Sequence, residues 1–493
     1  MKTRYNDLSI TARLPDELLA KIFTHSVSTD MRNFSQVRTI QVAGVCTAWR
    51  RVALNCPYLW NRVRHGRNIK WLAEIALPRS GHLPLHIFLP NENCLKGLNV
   101  ILDEMHRIEH LTCYVDLLYR DQEEIQLQSD LMNSAPMLKT FKMTSRTFFK
   151  LPYYLFDRHS PKLTTLDLGN IILPPGLNFM SGLTSFEYKF ARSSSEIPFS
   201  HLMDLLGAAP QLVTLELRNA CSAICTKPTV HVHLPRLQHL TLADTTITCT
   251  SFLSGFIHPP TTYLEIYTDE WSSFFSEHTC KLAQELGTHI ADVAKLRLWK
   301  IEQIQTFITT LSLQHLQVLE LQLMTKNEAI LDIIGNSHCL KTLVVHSFGY
   351  VDHLSLLDGI SKDEITSVHR LHQNIFETQP GRFPSFDPED HVTNMKKSLA
   401  FMLKYASPVP GPIPFPSLKS LTMTNLRLQC KYALVTLVAL VRLRANRGSS
   451  LDELHVSVCK DREKEYLTLI RDAVPSIYFN GYAMDPVGKN KDD

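Results

Sequence analysis

The chain of 493 residues is 44% hydrophobic and 20% charged, a balance typical of a folded protein with room for more than one domain. Its formal net charge of +3 is small for this length and predicts neither nucleic acid nor a membrane as a partner. No run reaches the ~18 apolar residues of a membrane span, and the charged N-terminus lacks the apolar segment of a secretory signal. We therefore expect a cytoplasmic or nuclear protein whose 11 cysteines are reduced thiols.

The first predicted helix begins close to the N-terminus. Pro15, which follows Leu14, suits its first turn, because proline has no N–H to leave unpaired there and its φ is already helical. Four apolar side chains then recur at helical spacing: Leu18, Leu19, Ile22 and Phe23. This stripe is wide enough to pack on its own domain and on something else. A domain this short buries little apolar surface, which predicts an obligate partner.

A second helical segment runs from Val45 to Ala53. Its apolar side chains fall on one face, whereas Arg50 and Arg51 point away. The apolar face consists of Val45, Trp49, Val52 and Ala53. We expect Trp49 to lie in the core of the module, which the segment Cys56-Pro57-Tyr58-Leu59-Trp60 then closes.

Together, the residues from Arg13 to Trp60 resemble an F-box. The matching positions are Leu14, Pro15, Glu17, Leu18, Leu19, Ile22, Phe23, Val45, Cys46, Trp49, Arg50, Pro57, Leu59 and Trp60. The resemblance implies a small helical module, here 12–62 after an N-terminal tail 1–11, that docks on the Skp adaptor of cullin–RING ubiquitin ligases. It assigns adaptor binding to Leu14, Pro15, Leu18, Leu19, Ile22 and Phe23. The segment from Ser28 to Arg38 is longer and more polar than usual, and is either a surface loop or a perturbation of docking.

Beyond the module, the frame Leu-x-x-Leu-x-Leu recurs. It starts at 138, 163, 183, 212 and 237, with spacings of 25, 20, 29 and 25, and continues at 264, 296, 316, 340, 418 and 451 in more degenerate form. A period of ~20–29 resembles the leucine-rich-repeat family, although Ile171 and Ala220 replace its usual Asn or Cys. The predicted fold class is α/β: a helical F-box, then an irregular leucine-rich-repeat solenoid over 63–486 with a parallel strand face.

Two segments interrupt the predicted repeats. A long insertion near 346–415 combines a helix, His391 to Tyr405, with loops rich in Pro and Gly. The segment from Lys431 to Arg444 is apolar nearly all round but too short to cross a bilayer, which favours a buried helix over a membrane anchor. Residues 487–493 are predicted to be a disordered tail.

The chain shows no motif for a phosphate loop, a nucleophile elbow or a catalytic zinc site, so we predict no enzyme activity and no cofactor. Cys221, Cys225, His231 and His233 come close together, but their spacing does not match structural zinc sites, and no metal site is predicted. The basic run from Arg62 to Arg67 adjoins the F-box, which favours linker or adaptor contact over nucleic acid.

In the repeat frame, the residue between the last two leucines points away from the core. Tyr267 and Trp299 follow two positions later on neighbouring strands. Aromatic and arginine side chains on such a face often dominate binding energy. We predict target binding by Glu216, Arg218, Glu265, Tyr267, Arg297, Trp299, Glu320 and Gln322, and a positively charged target segment. Alternatively, Trp299 covers a gap in an irregular repeat and the acidic residues keep the face soluble.

These features predict the substrate-recognition subunit of a Skp–cullin–F-box ubiquitin ligase. Its partners would be the Skp adaptor with the cullin–RING core and an unknown target protein, presented for ubiquitination and proteasomal degradation. The alternative is a non-catalytic leucine-rich-repeat scaffold that binds a fixed protein partner without ubiquitin transfer.

Overall fold

The computed structural model describes most of the N-terminal half and separate segments of the C-terminal half. The described residues are 14–26, 36–64, 72–89, 95–117, 121–191, 197–221, 231–259, 262–268, 281–282, 284, 295–299, 316–323, 337–347, 416–426, 441–442, 444–446, 448–458, 471, 473–479 and 482–483. Several predictions lie outside them: the tails 1–11 and 487–493, the insertion beyond 347 with its helix, and the N-terminal part of the helix predicted from Lys431.

The N-terminal module contains three helices, α1 (Asp16–Ser26), α2 (Gln36–Gly44) and α3 (Thr47–Leu54), and a 3₁₀ turn, Pro57–Leu59. Helix α1 begins directly after Pro15 and carries two acidic residues in its first turn, where they favour the helix dipole. The Sγ of Cys46 caps α3 by accepting from the backbone N–H of Trp49 at 3.4 Å. Both helices predicted from the sequence are confirmed.

The chain divides into two units, residues 1–239 with 255–259 and residues 240–254 with 260–493. In the first unit, seven described strands form a parallel sheet in chain order. They are β1 (Arg62–Arg64), β2 (Leu85–Leu89), β3 (Ile108–Val115), β4 (Thr140–Lys150), β5 (Thr165–Ile172), β6 (Ser185–Lys189) and β7 (Thr214–Arg218). Two short strands, β8 (Val232–His233) and β10 (Phe256–Ile257), pair in parallel separately.

Parallel neighbours require crossover connections, and short helical segments supply most of them. These segments are the turns Leu72–Ala76 and Leu77–Arg79, the helices α4 (Leu95–Leu102), α5 (Asp121–Asp130) and α6 (Phe199–Gly207), and the 3₁₀ turns Met105–Arg107, Leu155–Arg158 and Asn178–Gly182. A further helix, α7 (Thr246–Gly255), precedes β10.

The core of the first unit lies on one face of its sheet. One lateral row contains a single apolar residue from each strand, and no member is more than 1% exposed. The row is Val63, Ile87, Leu111, Phe141, Leu166, Phe186 and Leu215. Because strand side chains alternate, the intervening polar residues lie on the opposite face.

Arg107 fixes the entry into β3. Its side chain is buried, and Nη1 donates to Ser80 Oγ at 2.9 Å and to the carbonyl of Gly81 at 2.7 Å. Its Nε donates to Glu104 Oε2 at 2.7 Å. A buried guanidinium with several acceptors holds these backbone segments in one arrangement.

In the second unit, β9 (His239–Asp244) neighbours β11 (Tyr263–Thr268). The remaining strands are β12 (Lys295–Trp299), β13 (Val318–Leu323), β14 (Thr342–Ser347), β15 (Ser420–Leu426), β16 (Glu453–Val458), β17 (Ser476–Phe479) and β18 (Tyr482–Ala483). Strands β11 to β17 pair in parallel, and β18 pairs antiparallel with β17. A buried row repeats here: Leu264, Leu296, Leu319, Leu343, Leu421, Leu454 and Ile477.

The strands predicted from the leucine frame are confirmed at each predicted start. The sequence patterns did not predict β1, β8, β10, β17 and β18, which are short or lack the frame. Among the described helices, none is both long enough and apolar enough to cross a bilayer.

Candidate functional site

Helix α1 has two sides with different exposure. Leu19 and Phe23 are only 3% and 1% exposed, whereas Leu18 and Ile22 are 45% and 49% exposed. The first turn is fixed because the N–H groups of Leu18 and Leu19 donate to the carbonyl of Pro15 at 3.0 and 3.1 Å. One side of the helix therefore belongs to the module and the other is available to a partner.

The six predicted adaptor-binding residues divide accordingly. Pro15, Leu18 and Ile22 are exposed and Leu14 is partly exposed. Pro15, Leu18 and Ile22 follow each other at intervals of three and four residues, which places them along one strip. The predicted adaptor contacts of Leu19 and Phe23 do not fit their burial, because these side chains form the core of the module.

The module's core contains a different tryptophan from the one predicted. Trp60 is 3% exposed, and its Nε1 donates to the carbonyl of Ala53 at 2.8 Å. Trp49 is half-buried, with its ring centroid 4.8 Å from that of Phe23. The prediction of Trp49 as the interior tryptophan is corrected: it covers Phe23 from the side, while Trp60 fills the interior.

Further apolar side chains reach the surface of the module. Val45 is 58% exposed, contrary to the inward position predicted for it, because it precedes the Cys46 cap rather than lying in α3. Ile40 and Tyr58, at 52% and 61%, were not predicted. Including Leu18 and Ile22, five of the eleven exposed large hydrophobic residues that the structure describes lie in this module. Such a concentration is typical of a protein-binding surface.

The polar face of the first unit carries paired charges. Lys142 Nζ lies 3.2 Å from Asp167 Oδ2, and Lys189 Nζ lies 3.4 Å from Asp167 Oδ1. Lys189 also lies 2.5 Å from Glu187 Oε1. Burial opposes the Lys189 charge, but the hydrogen bond with Glu187 and the charge of Asp167 outweigh it and raise the pKa of Lys189.

Two predicted target-binding residues belong to this face. Glu216 and Arg218 lie on β7 and form an ion pair with each other. Each acidic residue of this face thus has a cationic partner on the same face. Asp167 pairs with Lys142 and Lys189, Glu187 pairs with Lys189, and Glu216 pairs with Arg218. The acidic residues at β5 to β7 are therefore balanced by cations of the same chain, and the positively charged target segment stays a prediction.

The other predicted target-binding residues lie on the second unit. The Tyr267 hydroxyl donates to Glu265 Oε1, and Thr241 Oγ1 lies 3.4 Å from Glu265 Oε2. Backbone register places Arg297 beside Glu265, and Trp299 beside Tyr267. Gln322 lies on β13 beside His346 of β14. The side chains of Arg297, Trp299 and Gln322 lie outside the described residues.

Glu320 has a partner that the sequence analysis did not assign. His346 Nε2 lies 2.7 Å from Glu320 Oε1, and His346 Nδ1 contacts Thr424 Oγ1. Because these three residues come from the consecutive strands β13, β14 and β15, only the strand register shows that they meet. The network orients Glu320 on the polar face.

Comparison with known proteins identifies the helical module. No curated protein matches the chain. A protein-family model described as F-box-like matches residues 11–65, which reach from before α1 to just past β1. Residues 11–65 therefore form an F-box-like domain, which suggests a role in binding the adaptor of a Skp–cullin–F-box ubiquitin ligase.

Proposed function

We propose that this chain is the substrate-recognition subunit of a Skp–cullin–F-box ubiquitin ligase, acting in the cytoplasm or nucleus. Its F-box-like domain docks on the Skp adaptor, and its sheets bind a target protein for ubiquitination and proteasomal degradation. The chain itself performs no chemistry, and the proposal involves neither nucleic acid nor membrane.

The exposed strip Pro15, Leu18 and Ile22 is the observation that carries the proposal. These residues lie in the segment that matches the family model, and their neighbours Leu19 and Phe23 anchor the helix. A helix with one buried side and one exposed apolar side is suited to insertion into an apolar groove of a partner. The apolar strip therefore supports adaptor docking.

The sheets support target binding. In each unit, strands follow one another in chain order with a buried apolar row and an outward polar row. This arrangement supports an irregular leucine-rich-repeat solenoid, in which neighbouring repeats share a core and present a rigid face. The outward residues Glu216, Arg218, Glu265 and Tyr267, together with Arg297, Trp299, Glu320 and Gln322, are the proposed target contacts.

The proposed mechanism is proximity. A subunit that binds adaptor and target at once makes transfer of ubiquitin effectively intramolecular. Mutual ion pairs such as Arg218 with Glu216 hold the side chains of the polar face in place, which reduces the entropy lost when a target binds.

The test uses the full chain. Deleting 1–62 would remove the whole module and also cut β1, whose Val63 is 0% exposed. It would also remove Asn61, whose Nδ2 donates to the carbonyl of Pro84 at 3.0 Å. Point variants leave this junction intact. Replacing Leu14, Pro15, Leu18 and Ile22 by Ala should abolish binding to purified Skp adaptor in isothermal titration, because central apolar anchors cost at least ~2 kcal/mol each.

The matched control removes exposed apolar residues elsewhere. Replacing Ile125, Tyr153 and Tyr154 by Ala should leave adaptor binding unchanged, since these residues are 68%, 55% and 56% exposed and lie outside the module. Unchanged adaptor affinity in the four-residue variant, with the fold intact by circular dichroism, would overturn the docking proposal.

A further inference from the structure

Three metal-ligating side chains meet where β2 and β3 begin. Glu109 Oε2 lies 3.5 Å from His86 Nε2, and Glu109 Oε1 lies 4.0 Å from His110 Nε2. One ligand atom from each of these three residues can be chosen so that all three atoms lie within 4.8 Å of one another. The centroids of the two imidazole rings lie 4.6 Å apart, with the ring planes tilted by 47°.

A β-bulge creates this convergence. Leu85 pairs with Ile108, but His86 pairs with His110, so Glu109 is an extra residue in β3. Consecutive residues of a regular strand point to opposite faces. Here Glu109 and His110 are both partly exposed between the buried Ile108 and Leu111. Bulges often re-aim side chains next to functional sites, and this one brings a carboxylate and an imidazole to the same face.

The distances suit a small divalent cation. Zinc binds His nitrogen and carboxylate oxygen at about 2.0–2.2 Å, which in tetrahedral geometry separates neighbouring ligand atoms by about 3.3 Å. With one ligand atom taken from each of the three residues, the atoms lie within 4.8 Å of one another, so side-chain rotations that shorten these separations by up to about 1.5 Å would complete the geometry.

We propose that His86, Glu109 and His110 form a zinc site with three protein ligands and a fourth position open to water. Three protein ligands leave the fourth position of zinc to water or another ligand, whereas structural sites fill all four positions with protein ligands. The side chains are 21%, 17% and 37% exposed, so the fourth position faces solvent on the polar side of the first unit's sheet. No ligand comes from the F-box-like domain, and the site is independent of the proposed function.

The Lys139 ammonium would compete with a metal ion for the Glu109 carboxylate, so a substitution at Lys139 tests the site. Its ammonium contacts Glu109 Oε1, but the side chain is 50% exposed and can turn into solvent. The backbone N–H of Lys139 separately donates to the carbonyl of Glu109 at 2.8 Å, which holds the bulge in place. Lys139→Met therefore removes a competing positive charge without removing a ligand or the backbone bond.

The experiment titrates chelator-treated full-length protein with Zn²⁺ against a chromophoric competitor at pH 7.5. We expect one equivalent whose affinity falls at least tenfold in His86→Ala, Glu109→Gln and His110→Ala, and rises severalfold in Lys139→Met. His455→Ala is the matched control, because His455 lies 3.7 Å from Glu453 and stacks on Tyr478, and among the described residues it belongs to no group of three metal-ligating side chains. Its Zn²⁺ affinity should equal that of the wild type.

X-ray absorption at the zinc edge identifies the ligands. Nitrogen and oxygen at about 2.0–2.1 Å support the proposal, whereas sulfur at about 2.3 Å would assign the metal to cysteines. The titration overturns the proposal if the wild type binds no tight equivalent, or if the equivalent survives both histidine substitutions. If a ligand variant fails to fold, the expected rise in Zn²⁺ affinity of Lys139→Met still tests the site. Unchanged Zn²⁺ affinity in Lys139→Met would contradict the assignment.

Discussion

The helical F-box-like domain and the sheet of the first unit differ in how far their apolar side chains are exposed. The central row of the sheet, from Val63 to Leu215, is no more than 1% exposed in any member. In α1, by contrast, Leu18 and Ile22 are nearly half exposed beside the buried Leu19 and Phe23. The sheet buries its apolar residues, whereas the module leaves some of them exposed on the surface that we propose binds the adaptor. Adjacent residues of one helix would then have different roles.

The largest expected effect concerns the sheet core. Phe141→Ala should lower the free energy of unfolding by about 3–5 kcal/mol, because it leaves a cavity where the side chain was 0% exposed and lay 5.1 Å from the ring of Phe156. Thr112→Ala, on the polar face of β3, should change it by no more than about 0.5 kcal/mol. Urea denaturation measures both, and equal effects would contradict the assignment of the two faces.

Within α1, neighbouring substitutions should separate binding from stability. Ile22→Ala should weaken adaptor binding by about 2 kcal/mol, roughly 30-fold, with the free energy of unfolding changed by no more than about 0.5 kcal/mol. Phe23→Ala should instead destabilise the module, because Phe23 is 1% exposed and packs on Trp49. Calorimetric titration with thermal unfolding distinguishes them, and a stability loss in Ile22→Ala as large as that in Phe23→Ala would remove the distinction.

The hydrogen bond of the buried tryptophan should have a smaller effect. Trp60→Phe removes the donor that reaches the carbonyl of Ala53 at 2.8 Å, which should cost about 1–2 kcal/mol of stability because the acceptor is left buried. Trp49→Phe removes an indole that is half-buried, so we expect it to lower the stability less than Trp60→Phe does. The reverse order in thermal unfolding would restore Trp49 as the interior residue.

The smallest effect is expected on the polar face. Lys189→Met removes ion pairs with Asp167 and Glu187, but the lysine side chain is 36% exposed, and such pairs contribute about 0–1 kcal/mol. We expect a loss of about 0.5 kcal/mol that shrinks as salt is added. A loss above about 2 kcal/mol in urea denaturation would show that this face stabilises the fold as strongly as the core does.

The sequence predicted the strands well because their signal is local. In frames such as Leu163, Leu166 and Leu168, the spacing fixes both the alternation of a strand and its buried face. The exposure of α1 was less predictable. The apolar stripe of Leu18, Leu19, Ile22 and Phe23 predicts that α1 packs against two surfaces, the module and a partner. Which of these side chains pack inside the module depends on the positions of α3 and Trp60, which the local pattern does not show.

Contacts between strands were the least predictable. Glu109 and His110 are consecutive, so a regular strand places them on opposite faces, and only the bulge in the pairing with β2 brings them together. The ion pairs of Asp167 and Glu216 likewise depend on which cations share the same face. The acidic residues of the repeat frame predict a positively charged target segment, but their pairing with cations at β5 to β7 is visible only in the structure.

The central claim is that one chain joins a ligase core to a target through two separate surfaces. Quantitative mass spectrometry after affinity capture tests it directly, comparing the full-length wild type with the Leu18→Ala, Ile22→Ala variant. We predict that the wild type retains the Skp adaptor, cullin and further proteins, and that the variant loses adaptor and cullin together while keeping the rest. Capture of adaptor without cullin by the wild type, or retention of both by the folded variant, would contradict the account.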